Sequence, residues 1–394
     1  VTIATFQLTD AYAPILDGVA TAVRNYTAWL DRMGGSNTIV APWYPGHRDD
    51  DGHDVVRYRS APLPRRPPYR LGLPRLDRQL WPELDRRECD LVHCHAPFAS
   101  AVIADRLRSR RGVPVVATFH SKYRDDLIGA VPFAPLVGLR IRRIVRFLER
   151  CDAVWIPTEN AIATLRSYGY RGEVEVVANG VDLEVRSPGP ETRRAGSTAL
   201  GVAPDVPVLL YVGQIVREKN LRLLIEAVAR LVRGGRSVVA ALVGEGYARA
   251  ELERLAVALG VADQVRLIGP VRDREALAAC YARADLFAFP SLYDTSGLVV
   301  REAAALQTPS VLLENADAAE GVVHGRNGFL AGGDPDRFAA AVANALDDPV
   351  TVELAGRAAA RELCRGWDAV AAEVADRYRR LVERSGSPAV ERAA

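Results

Sequence analysis

The stretch Leu286-Phe-Ala-Phe289-Pro-Ser-Leu-Tyr-Asp294-Thr-Ser-Gly297-Leu-Val-Val-Arg-Glu302-Ala-Ala-Ala-Leu-Gln-Thr-Pro309 runs from four apolar residues through a polar turn into a helical pattern. Buried strand, loop and helix in that order form half of a βαβ unit. The same alternation extends both ways. Val208–Val212, Val238–Val243 and Val265–Ile268 read as strands before it, and Ser310–Leu313 as one after it. Further back, Val1–Phe6, Asn37–Ala41, Val55–Tyr58, Asp90–His93, Val113–Thr118, Ala153–Pro157 and Val174–Val177 repeat the pattern. Most are separated by helical stretches, the first containing Val19–Leu30. Between the two series, Arg186–Asp205 is rich in Pro, Gly, Ser, Arg and Thr and reads as a linker with a surface helix. The pattern predicts an α/β protein of two Rossmann-like domains, 1–185 and 186–375. Trp367–Leu381 has helical periodicity and suits packing on either domain, and 376–394 is expected as a helix end and disordered tail, with the first domain as the candidate docking face.

The chain has 394 residues, more than one hydrophobic core usually organises. Lys and Arg number 51 against 49 Asp and Glu, a net charge of +2. That balance gives no global field for nucleic acid. Five cysteines (Cys89, Cys94, Cys151, Cys280, Cys364) include no Cys-x-x-Cys pair, so buried reduced thiols are expected. Thr9 and Asp10 interrupt the apolar start, and no run of 18 apolar residues occurs. The expectation is a cytoplasmic protein, with the inner face of the cell membrane as a docking surface. No Gly-x-Gly-x-x-Gly follows the first strand, which disfavours a nicotinamide dehydrogenase.

Asp294 and Glu302 lie eight residues apart, on either side of Gly297 at the expected helix start. A helix N-terminus has unpaired N–H groups and partial positive charge, and so can hold a diphosphate. A bland alternative is a capped helix with two solvated acids, and on spacing alone the two readings weigh equally. Lys219, taken alone, reads as a surface lysine. His95 and His120 each follow a strand, at the end where open α/β sheets bind ligands. Asp49-Asp50-Asp51 and Asp334-Pro-Asp336 sit in polar turns, and no metal is expected there.

The segment from Asp294 to Glu302 resembles the acid-x7-acid motif of retaining glycosyltransferase family 4, with Asp294 where the family usually has Glu. The resemblance covers nearly the whole chain. Tyr211-Val-Gly213-Gln214-Ile-Val-Arg-Glu-Lys219-Asn220 is similar to the family's strand and phosphate loop. Val243-Gly244-Glu-Gly246 is similar to its glycine turn, Leu267-Ile-Gly-Pro270-Val271 to its base-reading loop, and Ile15-Leu-Asp17-Gly18-Val19 to its Gly-Gly-Val loop. It implies a GT-B fold, two domains facing each other across a deep cleft, and no cofactor or metal. The implied donor is a nucleotide-diphosphate sugar, UDP favoured over GDP. Gly18, Gly213, Gln214, Lys219, Gly244, Pro270, Val271, Asp294, Ser296, Gly297, Leu298 and Glu302 would bind it. Lys219 would neutralise the leaving diphosphate, Asp294 would meet the sugar and Glu302 the ribose. His120 would stand at the reaction centre. Gln214 replaces the family's Arg, and Arg217 is the candidate substitute. Asp17 in place of Gly would either tighten its loop or repel phosphate. Since both acids are assigned to donor hydroxyls, front-face departure and attack is implied rather than double displacement.

Thr118-Phe-His120-Ser-Lys122-Tyr123-Arg124 resembles the subgroup acting on diacylglycerol-type lipids, making His95, Lys122, Tyr123 and Arg124 candidate acceptor contacts. In Leu136–Arg150, Val137, Ile141, Ile144, Val145 and Leu148 form an apolar stripe. Arg142, Arg143, Arg146 and Arg150, with Leu139 and Phe147 interleaved, make a face that suits an anionic membrane or plain solvent. Arg65-Arg66-Pro-Pro-Tyr69-Arg70 would extend an acceptor rim. A soluble small-molecule acceptor, a nucleotide-sugar epimerase and an inactive nucleotide-sugar binder are the competing readings. The sequence leaves the oligomeric state open.

Overall fold

The computed structural model describes residues 3–15, 17–50, 52–63, 66–130 and 134–386. Val1, Thr2, Leu16, Asp51 and Arg65, together with the tail expected beyond residue 386, lie outside the described residues. The chain divides into two compact units. One comprises Val1–Gly180 and the segment from Trp367 onward, and the other Val181–Gly366. The division falls five residues before the sequence boundary, and the whole last helix, from Trp367, groups with the first unit.

In the first unit the main strands are β1 (Ala4–Leu8), β2 (Ser36–Pro42) and β3 (Asp54–Tyr58). A short antiparallel hairpin, β4 (Ser60–Pro62) and β5 (Arg70–Gly72), stands apart from the main sheet. Then come β6 (Leu91–Cys94), β7 (Val115–Thr118), β8 (Ala153–Ile156) and β9 (Glu175–Val176). The seven-stranded sheet is parallel throughout, in the order β3-β2-β1-β6-β7-β8-β9. Its central strands are buried on both faces, which is why they read as unbroken apolar runs. The hairpin takes in the 65–70 stretch that the sequence offers as an acceptor rim. Strands of Ser-Ala-Pro and Arg-Leu-Gly carry no alternating pattern to read.

The helix Trp367–Ser385 buries Trp367, Val370, Ala371, Val374, Tyr378 and Val382, a stripe of helical period. That stripe packs on Tyr26, Val116 and Trp155 and closes the second face of the first sheet. The chain leaving the first unit runs tightly against this helix: a Cβ on Gly180 would lie 2.6 Å from the Trp367 ring. All five tryptophans (Trp29, Trp43, Trp81, Trp155, Trp367) belong to the first unit.

The second unit is built on β10 (Val208–Val212), β11 (Val239–Val243), β12 (Val265–Gly269), β13 (Leu286–Phe289), β14 (Ser310–Leu313) and β15 (Phe329–Ala331). They pair in parallel in the order β12-β11-β10-β13-β14-β15. β15 was not foreseen, being three residues between polar turns. The expected linker proves to be part of this unit. Its helix, Pro190–Leu200, buries Leu200, and Ser197 accepts a hydrogen bond from the buried Arg283 at 2.9 Å. Arg283 also donates to the carbonyls of Ala203, Pro204 and Val206, tying down the loop that follows.

Both sheets reverse their strand order once, between β1 and β6 and between β10 and β13. At such a point adjacent loops diverge to opposite faces and leave a crevice at the carboxyl ends of the strands.

Candidate functional site

In the second unit, the chain leaving β10 enters a single 3-10 turn, Arg217–Lys219, and the chain leaving β13 enters the helix Leu298–Ala305. These are the loops flanking the strand reversal. They meet through Lys219, whose Nζ donates to Asp294 Oδ1 at 2.5 Å and lies 5.2 Å from the Tyr293 ring centre. Lys219 is 9% exposed, far from the surface lysine its neighbours in sequence suggest. Asp294 Oδ2 is buried and has no hydrogen-bond partner among the described residues. An acceptor held dry without a donor costs roughly 1–3 kcal/mol, so a ligand hydroxyl arriving there would be favoured.

Gly297 is the N-cap of the helix, with φ +53°, and a Cβ there would fall 2.8 Å from that of Ala318. Ser296 and Leu298 flank it, so the free N–H groups of the first turn open beside Asp294 in the chain. Glu302, 7% exposed, accepts from the Tyr281 hydroxyl at 2.8 Å on Oε2 and from Arg274 at 3.1 Å on Oε1. Arg274 also pairs with Asp182 at 3.2 Å. A carboxylate has about four lone-pair sites, so these two donors fix Glu302 and still leave acceptor capacity.

The glycine turns pack directly on each other. Gly213 and Gly244 have φ of +149° and +145°, and a Cβ on Gly244 would stand 1.9 Å from the Gly213 carbonyl oxygen. Gly213 N–H donates to the Val243 carbonyl and Gly244 N–H to that of Gly269, linking the ends of β10, β11 and β12. Pro270 and Val271 follow directly, Pro270 exposed and Val271 packed on the core. The Gln214 carbonyl accepts from the Tyr211 hydroxyl at 2.8 Å. Arg217 does not take up the missing charge: it is exposed and pairs with Glu251 at 2.8 Å. Asp334 caps the helix Pro335–Leu346, a sufficient role for that acidic turn. Asp49, of the other acidic group, is partly buried, which works against its charge, but the hydrogen bonds and charge of Arg57 outweigh this and lower its carboxyl below the usual value.

In the first unit the strand reversal carries a different chemistry. His120 follows β7 and His95 follows β6, with His95 Nδ1 3.0 Å from His120 Nε2. His95 Nε2 lies 2.8 Å from Gln7 Oε1, on β1. His93 is wedged between the Tyr378 hydroxyl and Thr118 Oγ1, each at 2.6 Å. None of these rings was paired in the sequence reading, and Gln7, Thr118 and Tyr378 were not singled out. The only signal was the alternate-residue spacing of His93 and His95. Burial makes protonation unfavourable: His93 and His95 are pushed well below the usual histidine range, and His120 down to about 3.

Asp10, at the end of β1, accepts from the backbone N–H groups of Phe98 and Ser100, each at 3.0 Å. Burial raises its carboxyl to about 6 despite those bonds. Asp17 tightens its loop. It caps the helix Gly18–Arg32 through Ala20 N–H at 2.8 Å and accepts from Tyr69 at 2.9 Å.

The expected acceptor residues divide. Lys122 is half-buried and Arg124 exposed, its guanidinium 5.1 Å from the Tyr168 ring centre. Tyr123 is instead a core residue, its ring edge-on to Phe119 at 5.1 Å. Arg66 pairs with Asp126 at 2.6 Å and Arg70 with Ser60 at 2.7 Å, so these members of the expected rim are engaged internally. On the helix Ala134–Leu148 the apolar stripe is buried as expected, while Phe147, assigned to the basic face, is core at 3% exposure. Arg142, Arg143 and Arg146 are exposed, and Arg150 pairs with Asp105 at 2.6 Å. A groove of about 420 Å³ opens between this helix and Arg124, Ile128 and Tyr168. Among the described residues no helix is long and apolar enough to cross a membrane.

A family model described as "Glycosyltransferase Family 4" matches residues 16–185, and one described as "Glycosyl transferases group 1" matches 206–348. The D-inositol 3-phosphate glycosyltransferase 2 of Catenulispora acidiphila is 36% identical over 313 residues, 75% of this chain and 71% of that protein. The chain belongs to glycosyltransferase family 4. Another relative of this glycosyltransferase, the alpha-monoglucosyldiacylglycerol synthase of Acholeplasma laidlawii, is 23% identical and spans 82% of this chain and 83% of its own. Two solved structures show the same GT-B fold. Sucrose-phosphate synthase from Thermosynechococcus elongatus has a TM-score of 0.81 at 21% identity, covering 97% of this chain and 100% of its own. Anabaena HepE in complex with UDP and glucose has a TM-score of 0.77 at 20% identity, covering 94% and 98%.

Proposed function

We propose that this glycosyltransferase moves a hexose from a UDP-sugar to an acceptor hydroxyl with retention at the anomeric carbon and without a metal. The observation that carries the reading is the buried Lys219–Asp294 pair at the strand reversal, with one Asp294 oxygen unsatisfied. A diphosphate arriving there takes Lys219 as its counter-charge, and Asp294 accepts a sugar hydroxyl on Oδ2, the oxygen left without a partner. Ser296, Gly297 and Leu298 offer backbone N–H groups to the same phosphates. Glu302, oriented by Tyr281 and Arg274, takes the ribose hydroxyls, while the turns at Gly213, Gly244 and Pro270–Val271 admit the base.

The bond between the anomeric carbon and the β-phosphate oxygen breaks, and the acceptor oxygen bonds to that carbon on the same face. The acceptor's proton passes to the departing phosphate. Catalysis then rests on position and on neutralised phosphate charge. His120, neutral, is a hydrogen-bonding group at the reacting hydroxyls, and His95 holds it.

For the acceptor we favour a glycolipid or diacylglycerol-type lipid. The exposed arginines of Ala134–Leu148 and the adjoining groove, with Lys122 and Arg124, support this, as does the Acholeplasma relative. A soluble phosphorylated polyol is the second reading, supported by the higher identity to the inositol-phosphate enzyme. The protein would work at the cytoplasmic membrane face in the first case.

The test is a thermal-shift panel of UDP, GDP and ADP followed by NMR of the product from the sugar whose nucleotide binds. UDP at a hundredfold excess over its Kd would add about 2.7 kcal/mol of stability. A product of inverted anomeric configuration would overturn the mechanism. Sedimentation with anionic vesicles at low salt is expected if the acceptor is lipid, and its absence would leave the soluble acceptor.

A further inference from the structure

The first unit contains a line of five hydrogen bonds from its surface to His120. Exposed Asp31, near the end of the helix Gly18–Arg32, accepts from Asn37 Nδ2 at 2.6 Å. Thr5 Oγ1 donates to Asn37 Oδ1 at 2.5 Å, and Gln7 Nε2 donates to Thr5 Oγ1 at 2.8 Å. Gln7 Oε1 faces His95 Nε2 at 2.8 Å, and His95 Nδ1 faces His120 Nε2 at 3.0 Å. Between Asp31 and His120, all these side chains are buried.

Each link alone would work in either direction, because an amide, a hydroxyl and an imidazole each carry both a donor and an acceptor. Asp31 removes that freedom. An ionised carboxylate only accepts, so the Asn37 amide must turn its nitrogen outward and its oxygen toward Thr5. The Thr5 proton is then committed to Asn37, and its oxygen can only accept from Gln7. That turns the Gln7 carbonyl toward His95, which must carry its proton on Nε2 and accept on Nδ1. His120 is left to donate from Nε2. Reversing any link sets two acceptors or two donors face to face in a dry interior, at a cost of roughly 1–3 kcal/mol.

We propose that Asp31, acting through Asn37, Thr5, Gln7 and His95, fixes His120 as the Nε2–H tautomer, so that Nδ1 is the ring nitrogen that accepts a hydrogen bond from a reacting hydroxyl while the proton itself leaves with the phosphate. Asn37, Thr5 and Gln7 are thereby positioning residues. A wrong tautomer in a catalytic histidine loses activity even where geometry is intact. A second branch agrees with this direction: Gln7 Nε2 also donates to the Tyr378 hydroxyl at 3.4 Å, so both amide protons point away from His95. The low basicity imposed by burial keeps the rings neutral, the state in which tautomer matters.

The assignment of function to His120 rests on the preceding section, but the tautomer can be read without it. The experiment is 15N-labelled histidine NMR of the full chain at neutral pH, with His120 and His95 assigned through His120→Asn and His95→Asn. Wild type should show Nε2 protonated and Nδ1 unprotonated in both rings. Thr5→Val removes the link that orients Gln7, and Asp31→Lys replaces the acceptor at the surface with a donor. In each, an Nδ1-protonated population should appear at His120, with kcat lowered about tenfold or more and donor KM little changed. Thr5→Ser, which keeps the hydroxyl, should restore both. Nδ1 protonated in wild type, or tautomers unmoved in both variants, would overturn the relay and leave the proposed function standing. Tautomers that invert while kcat holds would establish the relay and remove His120 from the reaction.

Discussion

The two strand reversals share a topology and differ in how their polar groups are satisfied. Where β10 and β13 part, a buried cation meets a carboxylate that keeps one oxygen without a partner. Where β1 and β6 part, neutral imidazoles, an amide and hydroxyls form a continuous hydrogen-bonded line, and Asp10 is capped by two backbone donors. A charged, under-satisfied crevice suits a ligand that brings charge and hydroxyls of its own. The neutral, closed line suits the orientation of a group that must not change charge. The same fold has been given opposite electrostatic tasks by the side chains on corresponding loops.

The largest effect that would break this contrast is at Lys219. Lys219→Ala should lower kcat about a thousandfold through lost phosphate neutralisation, while the protein stays folded. Steady-state assays that found near-wild-type turnover would remove the charge asymmetry from the mechanism.

Acid should separate the units next. His93, His95 and His120 titrate below their unfolded values near 6.5, so stability they contribute is complete above that pH and is lost as pH falls toward 3. His120 alone withdraws roughly 3 kcal/mol by about pH 4.5. Asp10 runs the other way. Its raised pKa of about 6 means the folded form holds its proton more tightly, so stability rises as pH falls from 6 to 3.8, and this partly offsets the histidines. Because every tryptophan lies in the first unit, its fluorescence should change at a higher pH than the far-UV circular dichroism of the whole chain. Coincident transitions would contradict the assignment.

Gly244→Ala probes the opposite side. Its Cβ would collide with the Gly213 carbonyl at a backbone angle that L-residues avoid, costing about 3 kcal/mol or more. The loss should appear in the circular dichroism melt with the tryptophan melt little moved. Smallest is Glu302→Gln, expected to raise donor KM about tenfold with kcat largely kept, by weakening hydrogen bonds to ribose. An unchanged KM would place the ribose elsewhere.

The strands of both sheets were legible because their residues are buried on two faces and spell apolar runs. β10, β13 and β14 begin and end where the sequence places them. The hairpin at Ser60–Gly72 and strand β15 were not, since a three-residue strand holds no period. Of the candidate site, the acids and Lys219 were legible through spacing and resemblance, but their mutual bond was not, because 75 residues separate them. Phe147 and Tyr123 were misplaced for a common reason: local patterns on a helix or loop do not reveal how wide a face the tertiary core will cover. The line from Asp31 to His120 draws on four separate segments, and only the folded chain brings them into one row.

The last helix has a consequence for biosynthesis. The polypeptide leaves the first unit at Gly180 and re-enters it only at Trp367, after the entire second unit. At about 5–20 residues per second, a ribosome takes on the order of ten seconds or more to cover that interval. During it the nascent amino-terminal sheet must wait with the apolar face around Tyr26 and Trp155 uncovered, while the later-made half is free to fold. The order of maturation is therefore the reverse of the order of translation, and a premature stop before Trp367 would leave the older half, not the newer, incomplete.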